Sequence, residues 1–276
     1  MSSQMIGWPV PEPGIPGTVD PVLAAATEAA VGAFRAARAR YDRAGLSEKV
    51  QMGADGTASM RLDILVETAV AEVTAAHRVN LLSEEIGFVD NGSAATLVVD
   101  PVDGTANAAA GVPLSAFAAA LVLDGTPVQA LTCWLDTGRC WHAVAGHPAP
   151  YRTTGRKELD GAAVSMLRPH PRNPDAAAAW WRVASRAARV RILSTSCLEA
   201  ALVAEGSTDA FADAGTDTHR IVDLAAAMVT VPAAGGVVID AAGRPLEIDL
   251  DLTRRWSGVV AASPELGEQL AAAIRG

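Results

Sequence analysis

Two aspartates open the reading: Asp100 and Asp103, in the stretch Thr96 to Pro113 (TLVVDPVDGTANAAAGVP). A short apolar run, Leu97-Val98-Val99, leads into them and has the character of a buried strand. Pro101 cannot donate to a sheet ladder, so the strand is expected to stop there. Gly104 permits a tight turn, and Ala106 to Ala110 can start a helix that Gly111 and Pro113 stop. Paired carboxylates at a strand end select hard cations such as Mg²⁺. The free N–H groups of a helix start suit a phosphate. A polar turn with an Asx-type hydrogen bond accounts for the same spacing.

The remaining elements must place other groups around this loop. Asp20-Pro21 reads as a helix cap and first position, followed by good helix formers to near Gly45. Gly53 to Thr57 is a turn or a mobile loop, and a helix follows from about Leu62 to His77, carrying Asp63 at its start. The short strand after it ends at Glu84-Glu85. Asp124-Gly125 joins two apolar strands, and Arg139 to Val144 adds a third. Arg168 to Pro174 is rich in proline. Val190 to Leu193 is a strand leading to Ser194-Thr195-Ser196, and a helix follows. Val222 to Ala234 reads as one long apolar helix with Asp223 in its first turn. Antiparallel hairpins come first and alternating elements later, which points to two α/β lobes, 1–145 and 146–276.

Composition narrows the function. With 276 residues and 50% hydrophobic content, the chain can build a large core. A net charge of −9 argues against nonspecific nucleic-acid binding. It leaves an anionic substrate open, because a bound cation reverses the local sign. No apolar run is long enough to span a bilayer. The N-terminus, Met1 to Gly17, lacks a signal-peptide pattern and reads as an irregular arm. Three scattered cysteines suit a reducing cytoplasm rather than a disulfide framework.

Taken together, MGADGTASMRLD, LLSEEIGF, VVDPVDGTANAAAGVP, RILSTSCLEAALVAEGSTDAF and IVDLAAAMVTVPAAGG occur in an order that resembles the inositol monophosphatase and fructose-1,6-bisphosphatase superfamily. The likeness runs from about Asp20 onward and is nearest to the archaeal-type branch, whose members often handle both substrate types. It implies a five-layer αβαβα sandwich, a homodimer, and Mg²⁺-dependent hydrolysis of a phosphate monoester. It places Glu84, Asp100 and the Val102 carbonyl on one Mg²⁺, and Asp100, Asp103 and Asp223 on a second, with a third ion near Glu84. It gives Asp63 and Thr105 to positioning the attacking water, and the amides of Gly104 and Thr105 to the phosphate. Ser194, Thr195, Ser196, Asp213 and Arg220 fall to the substrate.

Metal ions that activate water and stabilise a leaving alkoxide make a Ser, Cys or His nucleophile unnecessary. The five histidines accordingly show no catalytic spacing. Here Ser194 stands where the family usually has glycine, Asp213 is shorter than the glutamate of many inositol phosphatases, and Ala108-Ala109 replace bulkier residues. The expected activity is a phosphomonoesterase for a small phosphorylated inositol, sugar or nucleoside. Fructose-1,6-bisphosphate is the rival substrate, with Arg168, Arg191 and Arg220 as candidates for a second phosphate. A noncatalytic binding protein with the same fold is the remaining alternative.

Overall fold

The computed structural model describes residues 9–169 and 172–276. The first eight residues of the arm, and two residues of the proline-rich stretch after 168, lie outside them. Helix α1 (Pro21–Arg40) begins where the Asp20 carboxylate accepts from the Val22 amide at 2.9 Å. Helix α2 (Arg43–Leu46) leads to the hairpin β1 (Lys49–Met52) and β2 (Ala58–Met60), and then to α3 (Arg61–His77). The Gly53 to Thr57 turn is tied by a Gly53 N to Thr57 O bond of 2.8 Å, and the Asp55 carboxylate accepts from the Thr57 amide.

Strands β3 (Asn80–Ser83), β4 (Gly87–Val89) and β5 (Ala95–Asp103) precede the short helix α4 (Thr105–Ala110). The meander β6 (Ala116–Leu123), β7 (Thr126–Trp134) and β8 (Arg139–Val144) follows. Asp124 and Gly125 both take positive φ at the two-residue turn of its first hairpin, the geometry that matches strand twist. Strand β9 (Ala163–Met166), helix α5 (Pro174–Ala184), strand β10 (Arg189–Arg191), helix α6 (Ser196–Ala204) and strand β11 (Ala210–Ala212) come next. Helices α7 (Ile221–Ala225) and α8 (Ala227–Ala233), strands β12 (Val237–Asp240) and β13 (Gly258–Ala261), and helix α9 (Pro264–Arg275) complete the chain.

Among the described residues the larger sheets have the orders β4-β3-β5-β6-β7-β8 and β10-β9-β11-β13-β12. Side-chain alternation shows how they are covered. On β5, Leu97 and Val99 pack with α1 and α3, whereas Val98 faces the cluster that holds α7 and α8. On β11, Phe211 packs with α6 and α8, while Ala210 and Ala212 face α5 and α9. The layers therefore run α1/α3, six-stranded sheet, α6/α7/α8, five-stranded sheet, α5/α9, which is the expected αβαβα sandwich. Among the described residues no helix is long and apolar enough to cross a membrane.

Two local expectations need correction. Strand β5 does not stop at Pro101 but continues to Asp103. Its pairing with β3 ends at Val99, and its register with β6 shifts between Asp100 and Asp103. Pro101 thus sits in a bulge, where its missing N–H breaks no ladder bond. The apolar stretch 222–234 is two helices that part at Ala226, whose backbone keeps helical angles of φ −66° and ψ −39°. Two successive amides share the Ala226 carbonyl, Val229 at 3.2 Å and Thr230 at 3.0 Å, so the first turn of α8 is tightened where the two helices meet.

Near the end of β12, Arg244 bridges Asp217 and Asp240. The bond from Arg244 holds the Asp217 carboxyl below its usual pKa. Burial pushes Asp240 the other way, but bonds from Arg244 and the Ser257 amide outweigh it and leave it low as well. Such depressed groups contribute stability that is fully present above the unfolded pKa of about 4 and is lost as pH falls through the lower folded values. The guanidinium is 38% exposed, which screens the pair. Arg244→Gln is expected to cost about 1 kcal/mol at neutral pH, with the gap to the parent protein closing below about pH 4. Urea titrations across pH check this, and a gap independent of pH would contradict it.

Candidate metal and phosphate site

The β5 bulge delivers Asp100, Val102 and Asp103 to one end of the six-stranded sheet, and Gly104 caps α4 at φ 78°. A Cβ at position 104 would lie 2.7 Å from the Leu114 carbonyl oxygen, so both the turn and the crowding demand glycine. Thr105, the first residue of α4, sets its hydroxyl 2.8 Å from Asp63 Oδ1 and 2.9 Å from the Val102 carbonyl. Asp63 lies in the first turn of α3. Glu84 follows β3, and Asp223 lies in the first turn of α7.

These segments converge. Carboxylate oxygens of Glu84, Asp100 and Asp223 lie within 4.8 Å of one another, as do Asp100, Asp103 and the Cys197 thiol. Glu84, Asp100, Asp103, Asp223, Thr105 and the 194–196 loop line one cavity of about 300 Å³. The site was built from parts far apart in sequence. Asn107 Nδ2 donates to the carbonyls of Leu114 (3.0 Å) and Leu193 (2.8 Å), which ties the 194–196 loop to the α4 turn. Asp103 accepts from the Thr195 hydroxyl and from the Leu198 amide at 3.0 Å.

The arrangement is strongly charged and dry. Asp100 is 2% exposed and Asp103 and Asp223 are each 6% exposed. Burial pushes Asp63 up to about 7, Glu84 up to about 8 and Asp103 up to about 6. Asp100 is also raised, by burial first and then by the charges of Glu84, Asp103 and Asp223. Only Asp223 ends below its usual range: burial pushes it up, but the Arg220 charge, the neighbouring His219 and the hydrogen bonds from Arg220 together outweigh that. A divalent cation fits this donor set: the oxygens are hard ligands, they repel one another, and Asp100 Oδ1 is buried without a hydrogen-bond partner. The match is of charge and ligand type, which is the test a metal site must pass.

Arg220 supplies the positive charge that the protein itself contributes. Its Nη1 donates to Asp55 Oδ2 at 2.6 Å and to Glu84, and its Nη2 donates to Asp223 Oδ1 at 3.2 Å. Asp55 sits in the β1–β2 turn and is 4% exposed, and the Arg255 guanidinium donates to its carbonyl at 3.2 Å. The hairpin is therefore strapped to the acidic cluster, a connection that the sequence reading lacked. Glu85 stands behind Glu84 and accepts from the Ser59 hydroxyl, while Glu67 accepts from the amides of Glu85 and Ile86.

Of the residues expected at the substrate, Ser194, Thr195, Ser196 and Arg220 line the cavity with Gly104 and Thr105. Asp213 is not among its lining residues. It is fully buried, and its oxygens accept from the amides of Thr216 and Thr218 at 3.0 and 2.9 Å. Ser194 takes the left-handed φ of 61° that explains why glycine is usual there. His219, which sequence reasoning did not single out, lines the same cavity: Nδ1 accepts from the Gly258 amide at 3.1 Å, Nε2 lies 3.2 Å from the Ser196 hydroxyl, and the ring meets Phe211 edge-on.

Removing Arg220 leaves three crowded carboxylates without compensation. Arg220→Gln is expected to destabilise the metal-free protein by about 3 kcal/mol. A saturating divalent cation is expected to recover most of that loss. Denaturant titration in chelator and in cation reads the two values; equal losses in both conditions would contradict the compensation.

The sequence model of the inositol monophosphatase family matches residues 18–276. A fructose-1,6-bisphosphatase/inositol-1-monophosphatase of Thermococcus kodakarensis is 30% identical over 224 residues, 79% of this chain and 84% of that protein. An inositol-1-monophosphatase of Mycolicibacterium smegmatis is 32% identical over 225 residues, 76% of this chain and 77% of that protein. A solved inositol monophosphatase–fructose 1,6-bisphosphatase superposes with a TM-score of 0.76 at 25% identity, covering 91% of this chain and 96% of that one.

Proposed function

The chain belongs to the inositol monophosphatase family and is a phosphatase, and from that premise we propose a Mg²⁺-dependent phosphomonoesterase acting on a small phosphorylated polyol. The observation that carries the reading is the convergence of Glu84, Asp100 and Asp223 within 4.8 Å, beside Asp103 and the Asp63–Thr105 pair. Four carboxylates with the Val102 carbonyl would hold two ions, and Glu84 has room in its role for a third. When bound, Mg²⁺ supplies an acidified water and neutralises phosphoryl charge.

The protein groups do the positioning. Thr105 fixes Asp63 Oδ1 by its hydroxyl, and the Met60 amide holds Asp63 Oδ2 at 3.2 Å, so the carboxylate cannot rotate away from a water proton. The first amides of α4, at Gly104 and Thr105, have no acceptor within their own helix and can receive phosphate oxygens. Burial of the acids lowers the local dielectric and so strengthens the charge interactions among them. The 194–196 loop supplies backbone and hydroxyl groups to the polyol. A cavity of about 300 Å³ suits an inositol, sugar or nucleoside monophosphate.

Phosphate release from a panel of such monophosphates is expected with Mg²⁺ and not with chelator; turnover that survives chelation would end this reading. Asp103→Asn is expected to lower kcat by about a hundredfold or more. Its melting temperature in chelator should stay near that of the parent, which separates lost chemistry from lost fold.

A further inference from the structure

Most hydroxyl groups that line the cavity are already spent. Those of Thr105 and Thr195 bond Asp63 and Asp103. That of Thr218 shares a bond of 2.7 Å with the Thr216 hydroxyl. Ser194 is exposed, and its hydroxyl has no partner among the described residues to fix it. Ser196 differs from all of these. It is the first residue of α6, half-buried, and its hydroxyl has one partner among the described residues, His219 Nε2 at 3.2 Å. His219 is itself 1% exposed and held at several points. Its backbone exchanges two bonds with Trp256, of 3.0 and 2.9 Å, and its ring stands at 81° to that of Phe211. The Gly258 amide donates to Nδ1, and a Cβ on Gly258 would lie 3.0 Å from that nitrogen. A ring nitrogen that accepts an amide proton carries none of its own, so the single proton of the neutral imidazole is on Nε2. Nε2 therefore donates to Ser196 Oγ, and a hydroxyl that accepts there keeps its own proton for another acceptor.

We infer that His219 is a positioning residue that turns Ser196 into a hydrogen-bond donor toward the substrate, and that the group Ser196 reads is an uncharged oxygen of the polyol outside the ester. The inference rests on the phosphatase reading above. The phosphoryl oxygens already have the α4 amides and the cations that the acids hold. A neutral group with one proton to give suits a hydroxyl or ring oxygen. Asp213, the acid that the resemblance gave to the substrate, is held by Thr216 and Thr218 and is not among the lining residues, so it accepts no polyol hydroxyl here. Recognition of the polyol by a fixed donor takes its place. The direction of the relay, from the Gly258 amide through the imidazole to the Ser196 hydroxyl, is set by the backbone and is in place before any substrate arrives. A substrate lacking an oxygen at that point leaves the donor unpaired and is discriminated against.

Two measurements test it. Nitrogen-15 spectra of histidine-labelled protein, with the His219 signals assigned by their loss in His219→Gln, are expected to show a protonated Nε2 and a bare Nδ1 at neutral pH. A protonated Nδ1 overturns the inference whatever the activity. Kinetics use the Mg²⁺-loaded protein with whichever of inositol 1-phosphate, glucose 1-phosphate and adenosine monophosphate it hydrolyses best, and with the singly deoxygenated analogues of that compound. Ser196→Ala and His219→Phe are each expected to lower kcat/KM about tenfold, in KM rather than kcat. The double variant should be no worse than either alone, because the pair acts as one unit. His219→Gln, which offers one N–H, should recover part of the loss. One deoxygenated analogue should be indifferent to all of these substitutions. Ser196→Ala removes a half-buried hydroxyl only, so it keeps the kinetic test decisive if the ring variant does not fold. Additive losses, or equal losses on every analogue, overturn the inference and leave the phosphatase reading standing. Turnover of none of the three monophosphates with Mg²⁺ overturns that reading and the contact that rests on it.

Discussion

The constraint on which this molecule depends is the crowding of like charges in a dry place. Four acids from three segments meet at the end of the six-stranded sheet, three of them at most 6% exposed. Folding must assemble them against their own repulsion and against desolvation. Arg220 answers part of that demand by bonding Glu84 and Asp223 together with Asp55. What is left over is an affinity for additional positive charge. In this view the tendency to take up cations is the residue of an incomplete internal neutralisation.

The layers explain how so much polar material can be tolerated. The hydrophobic clusters occupy the spaces between sheets and helices, and the acids sit at strand ends and helix starts. There the chain has loose N–H groups and room to turn. Asn107 and Thr195 fasten the second half of the chain to the first at this rim. The cavity floor is thus as well supported as the core, although it is built from side chains that taken singly prefer water.

Much of this was readable from the residues. Asp100, Asp103, Gly104 and Thr105 lie in a short motif whose local spacing already implies a turn at a strand end, and the five-layer sandwich is what the resemblance of the motifs to the family implied. What escaped the sequence was long-range. Asp55 and Arg220 are 165 positions apart, and nothing local marks either as the other's partner. Asp213 was given to the substrate by the family resemblance alone, and here its oxygens accept from the amides of Thr216 and Thr218, away from the cavity lining. The strand end at Pro101 and the single helix at 222–234 failed for a different reason. The first rested on a single proline and was overridden by a bulge; the second rested on a long apolar run, which carries no mark of the shared carbonyl at Ala226.

The bulge in β5 has an arithmetic side. On an unbroken strand, residues three apart point to opposite faces. Val98 and Asp100 share the face toward α7, and Asp103 would then point away with Val99 toward α1 and α3. The extra residue reverses the parity, so that Val102 enters the α1/α3 cluster and Asp103 faces the cavity. Drawing this segment into regular pairing at unchanged length would turn one carboxylate into the hydrocarbon interior, whereas removing one residue along with the bulge would leave both on the same face. The irregular pairing between the two aspartates is thus as much a part of the chemistry as their identity.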